Sequence, residues 1–174
     1  MSKKDSIEGV KTAFFGEFKK GFFKHGYLQY LDKSFYVGDF LRDNNKFDGL
    51  GRLTFYEGVY YQGGWSHGMK HGYGEDHMIK GVSYVGNFFR NMRHGLGKIT
   101  YKLKSGQQGK ISYQGEFFND KPHGRGRELF RTKDSGLNRI FDGQFENGLR
   151  SGYGILTDSF ADIELDKLDQ KDKD

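Results

Sequence analysis

Four histidines stand directly before a glycine of a recurring paired-glycine element: His25, His71, His94 and His123. Imidazole is a common zinc ligand, so a recurring His raises the question of metal chemistry. The spacing argues against it. His71, His94 and His123 lie 23 and 29 residues apart, one per recurring unit, which marks a column position and not a converging ligand set. His67 and His71 are four apart, the spacing that shares a helix face. Glycines bracket that segment, so it reads as a turn. The chain has no cysteine, which removes disulfides and thiolate metal sites. No Gly-x-Ser-x-Gly, phosphate loop or dinucleotide fingerprint occurs. The Gly-x-Gly pairs lead into β-formers and not helices, so they are not nucleotide cradles. The carboxylates are scattered. No catalytic, cofactor-binding or metal-ligating residue is expected.

The elements around these residues repeat. A glycine recurs at Gly16, Gly38, Gly63, Gly86, Gly115 and Gly143. Two residues later stands an aromatic: Phe18, Phe40, Trp65, Phe88, Phe117 and Phe145. Three further on stands Gly21, Asp43, Gly68, Asn91, Asp120 or Gly148. Then comes a glycine pair, Gly49/Gly51, Gly72/Gly74, Gly95/Gly97, Gly124/Gly126 or Gly152/Gly154; the front copy has Gly26 but Leu28 in place of the second glycine. Internal repeats of this length signify an array of units stable only when stacked.

One unit reads as a hairpin. In Tyr84-Val85-Gly86-Asn87-Phe88 the aromatics and glycine alternate and share one strand face. Gly, Asn and Asp in the turn column supply positive φ. Gly95-Leu96-Gly97-Lys98-Ile99-Thr100-Tyr101 then alternates into β-formers. The bare glycines leave room for an aromatic of the neighbouring strand to lie flat over them. The column aromatics would form a stacked spine. Six hairpins predict an all-β protein: an elongated, single-layer antiparallel sheet of about twelve strands. Residues 1–13 precede the array, 14–158 form it, and 159–174 are read as an acidic capping helix or tail with Asp158 or Ser159 as N-cap.

Composition agrees. Glycine at 27 of 174 residues is about twice the usual share, and 17% aromatics argue against disorder. The net charge is +5, while Ser159 to Asp174 alone carries −3. The basic residues are spread over all copies, which reads as a solvated surface, and no nucleic-acid partner is expected. No stretch reaches transmembrane length, and the polar start Met1-Ser2-Lys3-Lys4 carries no secretion signal. The expected address is intracellular.

Tyr61-x-Gly63-x-Trp65-x-x-Gly68-x-x-His71-Gly72-x-Gly74 resembles a MORN repeat, the membrane occupation and recognition nexus motif. Tyr84 to Gly97, Tyr113 to Gly126 and Phe141 to Gly154 are similar to it. Asp48 and Ser151 replace the motif histidine in two copies. The resemblance implies a hairpin array used for assembly. It points to a non-enzymatic adaptor in a large cytoskeletal complex, with a cilium or flagellum axoneme as the first setting. The alternatives are a peripheral module with weak anionic-lipid contact and an accessory subunit of an enzyme complex.

A single-layer sheet cannot bury both faces. The residue after the column aromatic points away from the core, as does the residue between the paired glycines. These positions nominate Leu41, Leu50, Tyr73, Phe89, Leu96 and Phe118 as a partner surface. The insertions Lys102 to Lys110 and Arg131 to Arg139 depart from the period and are further candidate contact loops.

Overall fold

The computed structural model describes residues 11–160 apart from 56–57, 105–106 and 133–136. Twelve strands follow one another: β1 (Lys11–Lys19), β2 (Phe22–Tyr30), β3 (Phe35–Phe40), β4 (Phe47–Thr54), β5 (Tyr60–Ser66), β6 (Met69–His77), β7 (Val82–Phe89), β8 (Met92–Tyr101), β9 (Gly109–Phe118), β10 (Lys121–Arg131), β11 (Leu137–Glu146) and β12 (Leu149–Phe160). Each is hydrogen-bonded antiparallel to its sequence neighbours, giving one open sheet in the order β1 to β12. The expected row of six hairpins is therefore the observed fold. Asp158 and Ser159, expected as helix caps, lie within β12. The rest of the expected helix lies outside the described residues.

The hairpin turns show why the turn column is restricted. Five are two-residue turns with both positions at positive φ, such as His67-Gly68 (52° and 84°) and Arg90-Asn91 (49° and 71°). This geometry matches the right-handed twist of the flanking strands. The second copy differs from expectation. In its wider Leu41–Lys46 turn, Asn45 and not Asp43 takes positive φ. The turn residues also join hairpins. Asn91 N–H donates to Lys70 O (3.0 Å), and its side-chain Oδ1 accepts from Lys70 N–H (2.7 Å). Asp120 repeats both contacts on Arg93. Asn and Asp supply an acceptor there that glycine lacks.

A line of glycines crosses the whole sheet in register: Gly16, Gly26, Gly38, Gly51, Gly63, Gly74, Gly86, Gly97, Gly115, Gly126, Gly143 and Gly154. Gly26 thus holds the place of the second paired glycine. Leu28, two residues on, is a buried core residue aligned with Leu53 and Ile99. His25 pairs with Asp39 and corresponds to Leu50, outside the histidine column.

The two glycines of a pair serve different ends. A Cβ on Gly97 would overlap the Tyr84 ring, and one on Gly74 the Tyr61 ring. The other member, Gly95, meets no such crowding but sits at φ 75°, where an L side chain is strained. It lies in the irregular stretch where Gly86 and Phe88 pair with Gly97 and Arg93, so β8 carries two more residues than β7 between those pairings. The ring over each line glycine comes from the aromatic two positions before the odd strand's line glycine (Tyr36, Tyr61, Tyr84 and Tyr113, with Phe14 and Phe141 at the ends), not from the aromatic after it.

The spine is interlocked and not stacked. Tyr36, Tyr61, Tyr84 and Tyr113 alternate with Phe40, Trp65, Phe88, Phe117 and Phe145 in edge-to-face contacts. Tyr61 meets Trp65 at 5.0 Å and 87°, then Phe88 of the next hairpin at 5.2 Å and 88°. Edge-to-face packing sets the positive ring edge against the negative face and adds to area burial. Each tyrosine hydroxyl donates to the carbonyl three residues on, at 2.8–2.9 Å for Asp39, Gly64, Asn87 and Glu116. Burial raises the hydroxyl pKa, to about 12 for Tyr84 and Tyr113.

The cover over the tyrosines changes along the array. At the front, Phe23 stacks on Phe14 at 3.8 Å and Phe47 on Tyr36 at 3.7 Å. Further on, Lys70 Nζ lies 4.7 Å from the Tyr61 ring centre, and the Arg150 guanidinium 4.8 Å from that of Phe141. Both cations are paired. Lys70 meets Asp76 at 2.5 Å, and Arg150 meets the buried Glu128 at 2.7 Å.

Candidate interaction surface

With the aromatic core on one face, the other face carries the remaining large side chains. Gly-x-Phe alternation on β7 and β9 puts Phe88 and Phe117 inward, which turns Phe89 and Phe118 outward. The irregular stretch that follows each turn re-aims the even strand, so that a histidine comes alongside. The result is a ladder of rings over five adjacent strands, β6 to β10. His71 meets Phe89 at 5.4 Å, Phe89 meets His94 at 5.8 Å, His94 meets Phe118 at 5.2 Å, and Phe118 meets His123 at 5.7 Å. Successive rings are tilted by about 50°. Phe89 and Phe118 remain 43% and 52% exposed. The Arg90 guanidinium sits 5.2 Å from the Phe89 ring centre, within cation–π range. His94 Nδ1 is shielded from solvent and has no hydrogen-bond partner among the described residues.

The ladder stops where the repeat departs from its pattern. Before it, Ser66 and Asp48 hold the Phe and His positions; Ser66 Oγ lies 3.0 Å from His67 Nδ1. After it come Glu146 and Ser151. The histidine column is thus a packing partner for outward phenylalanines, which explains its recurrence without a metal. Among the described residues, no three His, Cys, Asp or Glu side chains converge to hold an ion.

The structure divides the six nominated residues. It brings Phe89 and Phe118 together through His94. Leu50, Tyr73 and Leu96 are exposed at 71%, 66% and 64% but occupy a parallel row, opposite Gly64, Asn87 and Glu116. Polar or bare positions therefore separate them. Leu41 is half-buried at the start of the wide turn, where its N–H donates to Lys46 O at 2.7 Å. The sequence reading missed the ladder histidines. Their signal was present: His71, His94 and His123 recur beside the only two phenylalanines in the outward column.

The MORN-repeat profile matches residues 36–60, 61–75, 84–102, 113–135 and 141–159. These segments make up more than half of the chain. The chain belongs to the MORN-repeat family. Comparison with curated proteins finds no match to this chain. The matched MORN segments begin at β3, so the β1–β2 hairpin is recognised by its place in the glycine line and not by the profile. A MORN array is a non-catalytic repeat scaffold that binds proteins or lipids. No described helix is long and apolar enough to cross a membrane.

Proposed function

We propose that this MORN array is a non-enzymatic adaptor that docks a protein partner on the His71–His123 ring ladder. The observation that carries the reading is the exposure of Phe89 and Phe118 on the face opposite a complete core. These rings contribute to no described enclosure. Aromatic side chains presented in a rigid row are the residue type that dominates protein-binding hot spots. The setting proposed from the family resemblance is a large cytoskeletal assembly, first an axoneme, and the address intracellular.

The test is the double variant Phe89→Ser/Phe118→Ser, expressed in place of the wild-type chain. The expected result is a folded protein that is lost from salt-extracted axonemes or cytoskeleton. Retention of the folded double variant overturns the reading. A lipid-binding reading draws on Lys20 and Arg90, which stand at two hairpin turns along one edge of the sheet. Sedimentation with acidic liposomes, abolished by high salt, would favour that reading instead.

A further inference from the structure

Five junctions join one hairpin to the next, and all use one register. Gly26 pairs with Gly38, Gly51 with Gly63, Gly74 with Gly86, Gly97 with Gly115, and Gly126 with Gly143. At each, the aromatic two residues after the incoming glycine sets its edge on a ring of the preceding hairpin. Phe88 does so on Tyr61, Phe117 on Tyr84 at 5.2 Å, and Phe145 on Tyr113 at 4.9 Å. The residue two after the preceding glycine is enclosed at four of the five junctions: Leu28, Leu53, Ile99 and Glu128 are 1–3% exposed, while Asp76 at the β6–β7 junction is half-buried and paired with Lys70.

β1 and β12 are the outer strands of the described sheet, and each carries half of this junction. β1 has the incoming sequence Phe14-x-Gly16-x-Phe18. Phe18 is 56% exposed, whereas Phe40, Trp65, Phe88, Phe117 and Phe145 are 3–7% exposed. β12 has the receiving sequence Gly154-x-Leu156. Leu156 is 54% exposed, against 1–3% at Leu28, Leu53, Ile99 and Glu128. The Phe141 ring lies over Gly154 as Tyr61 lies over Gly74.

We propose that β12 of one copy receives β1 of a second copy in this same register, Gly154 against Gly16. The register then sets the other pairs without adjustment. Leu156 falls opposite Phe14, as Leu53 falls opposite Tyr61. Phe18 falls opposite Gly152, as Phe88 falls opposite Gly72, and presents its edge to Phe141. On the second face Ile155 falls opposite Phe15, two side chains exposed at 71% and 68%. Leu156 with Phe14 and Ile155 with Phe15 thus form two apolar pairs across the edges, and Phe18 lies over the bare Gly152. Strand addition also satisfies the unpaired edge N–H and C=O groups. The contact is head-to-tail, so it leaves a free β1 and a free β12 and propagates into a filament, or closes into a ring if the curvature permits.

Mass measurement on the full-length chain over a concentration series tests this, with two edge variants. Phe15→Lys/Phe18→Lys blocks β1 and leaves β12 intact. Ile155→Lys/Leu156→Lys blocks β12 and leaves β1 intact. The expected result is concentration-dependent growth for wild type, a monomer for each variant alone, and a one-to-one dimer when the variants are mixed. A wild-type chain that stays monomeric at millimolar concentration overturns the proposal. So does association that persists in either variant alone, because a symmetric β12–β12 or β1–β1 contact survives one of the two blocks. Should a variant fail to fold, hydrogen exchange on wild type decides. Amides of both β1 and β12 must gain protection as concentration rises, and protection confined to one edge or absent from both refutes the contact.

Discussion

On the core face, the residue two before the line glycine is Tyr36, Tyr61, Tyr84, Tyr113 or Phe141, and the four tyrosines are 0–1% exposed. On the second face, the residue after the inward aromatic is Lys19, Leu41, Ser66, Phe89, Phe118 or Glu146. The first column admits one ring shape because that ring covers a bare glycine on one strand and meets an edge-on aromatic on the next hairpin. The second has no such neighbour and admits any side chain. What recurs along this array is therefore the requirement for stacking, and what varies is the surface available to a partner. The Phe–His ladder lies between the two regimes: its histidines follow the repeat, while its phenylalanines belong to two units only.

Alkaline titration should separate the faces most strongly. Burial raises the Tyr84 and Tyr113 hydroxyls to about 12, above the value of about 10 in an unfolded chain. Their contribution is present in full below pH ~10 and is lost as pH rises from ~10 towards ~12. Several tyrosines ionise together, so cooperative unfolding in that window is expected, read by circular dichroism against tyrosinate absorbance. Tyrosinate formation that precedes any loss of structure would contradict an enclosed tyrosine column.

Removing one core ring comes next. Tyr84→Ala should cost about 3–5 kcal/mol, measured by urea unfolding. Gly97→Ala, which drives a methyl into the same ring, should cost about 1–3 kcal/mol from overpacking. If Gly97→Ala is neutral, the pairing of ring and glycine is not what selects the residue. Tyr84→Phe removes only the hydroxyl that donates to Asn87 O, and about 1 kcal/mol is expected. Phe14 and Phe141 hold this column without a hydroxyl, so the ring and not the hydrogen bond is the indispensable part. Smallest of all, Phe89→Ser should change stability by about 0.5 kcal/mol or less, as for exposed positions away from the core. A loss comparable with Tyr84→Ala would make the ladder part of the core and remove it as a docking surface.

The front and back of the core give a narrower comparison of the same kind. Phe47 covers Tyr36 by stacking, while Lys70 covers Tyr61 as a cation paired with Asp76. The repeat keeps the cover but not its chemistry. This substitution was invisible in the sequence, where Phe47 and Lys70 follow turns of different length and do not align by eye.

Hairpin, register and array were legible in the sequence because their determinants are local. Positive φ at Gly68, Asn91 and Gly148, the absence of a Cβ at Gly63 and Gly74, and strand alternation act within a few residues, and repetition displays them six times. Asp43 misled because a six-residue turn moves the left-handed position to Asn45, and turn length alone does not say which residue takes it. Other properties depend on which strand lies beside which and on how an irregular pairing rotates a side chain. Only the tertiary structure decided that Tyr84 rests on Gly97, that His94 separates Phe89 from Phe118, and that Leu50, Tyr73 and Leu96 lie in a row of their own. It alone also showed that Phe18 and Leu156 remain exposed at positions buried or half-buried everywhere else in the described sheet. Burial is a property of the neighbouring strand, and among the described residues β1 and β12 have one such neighbour where every other strand has two.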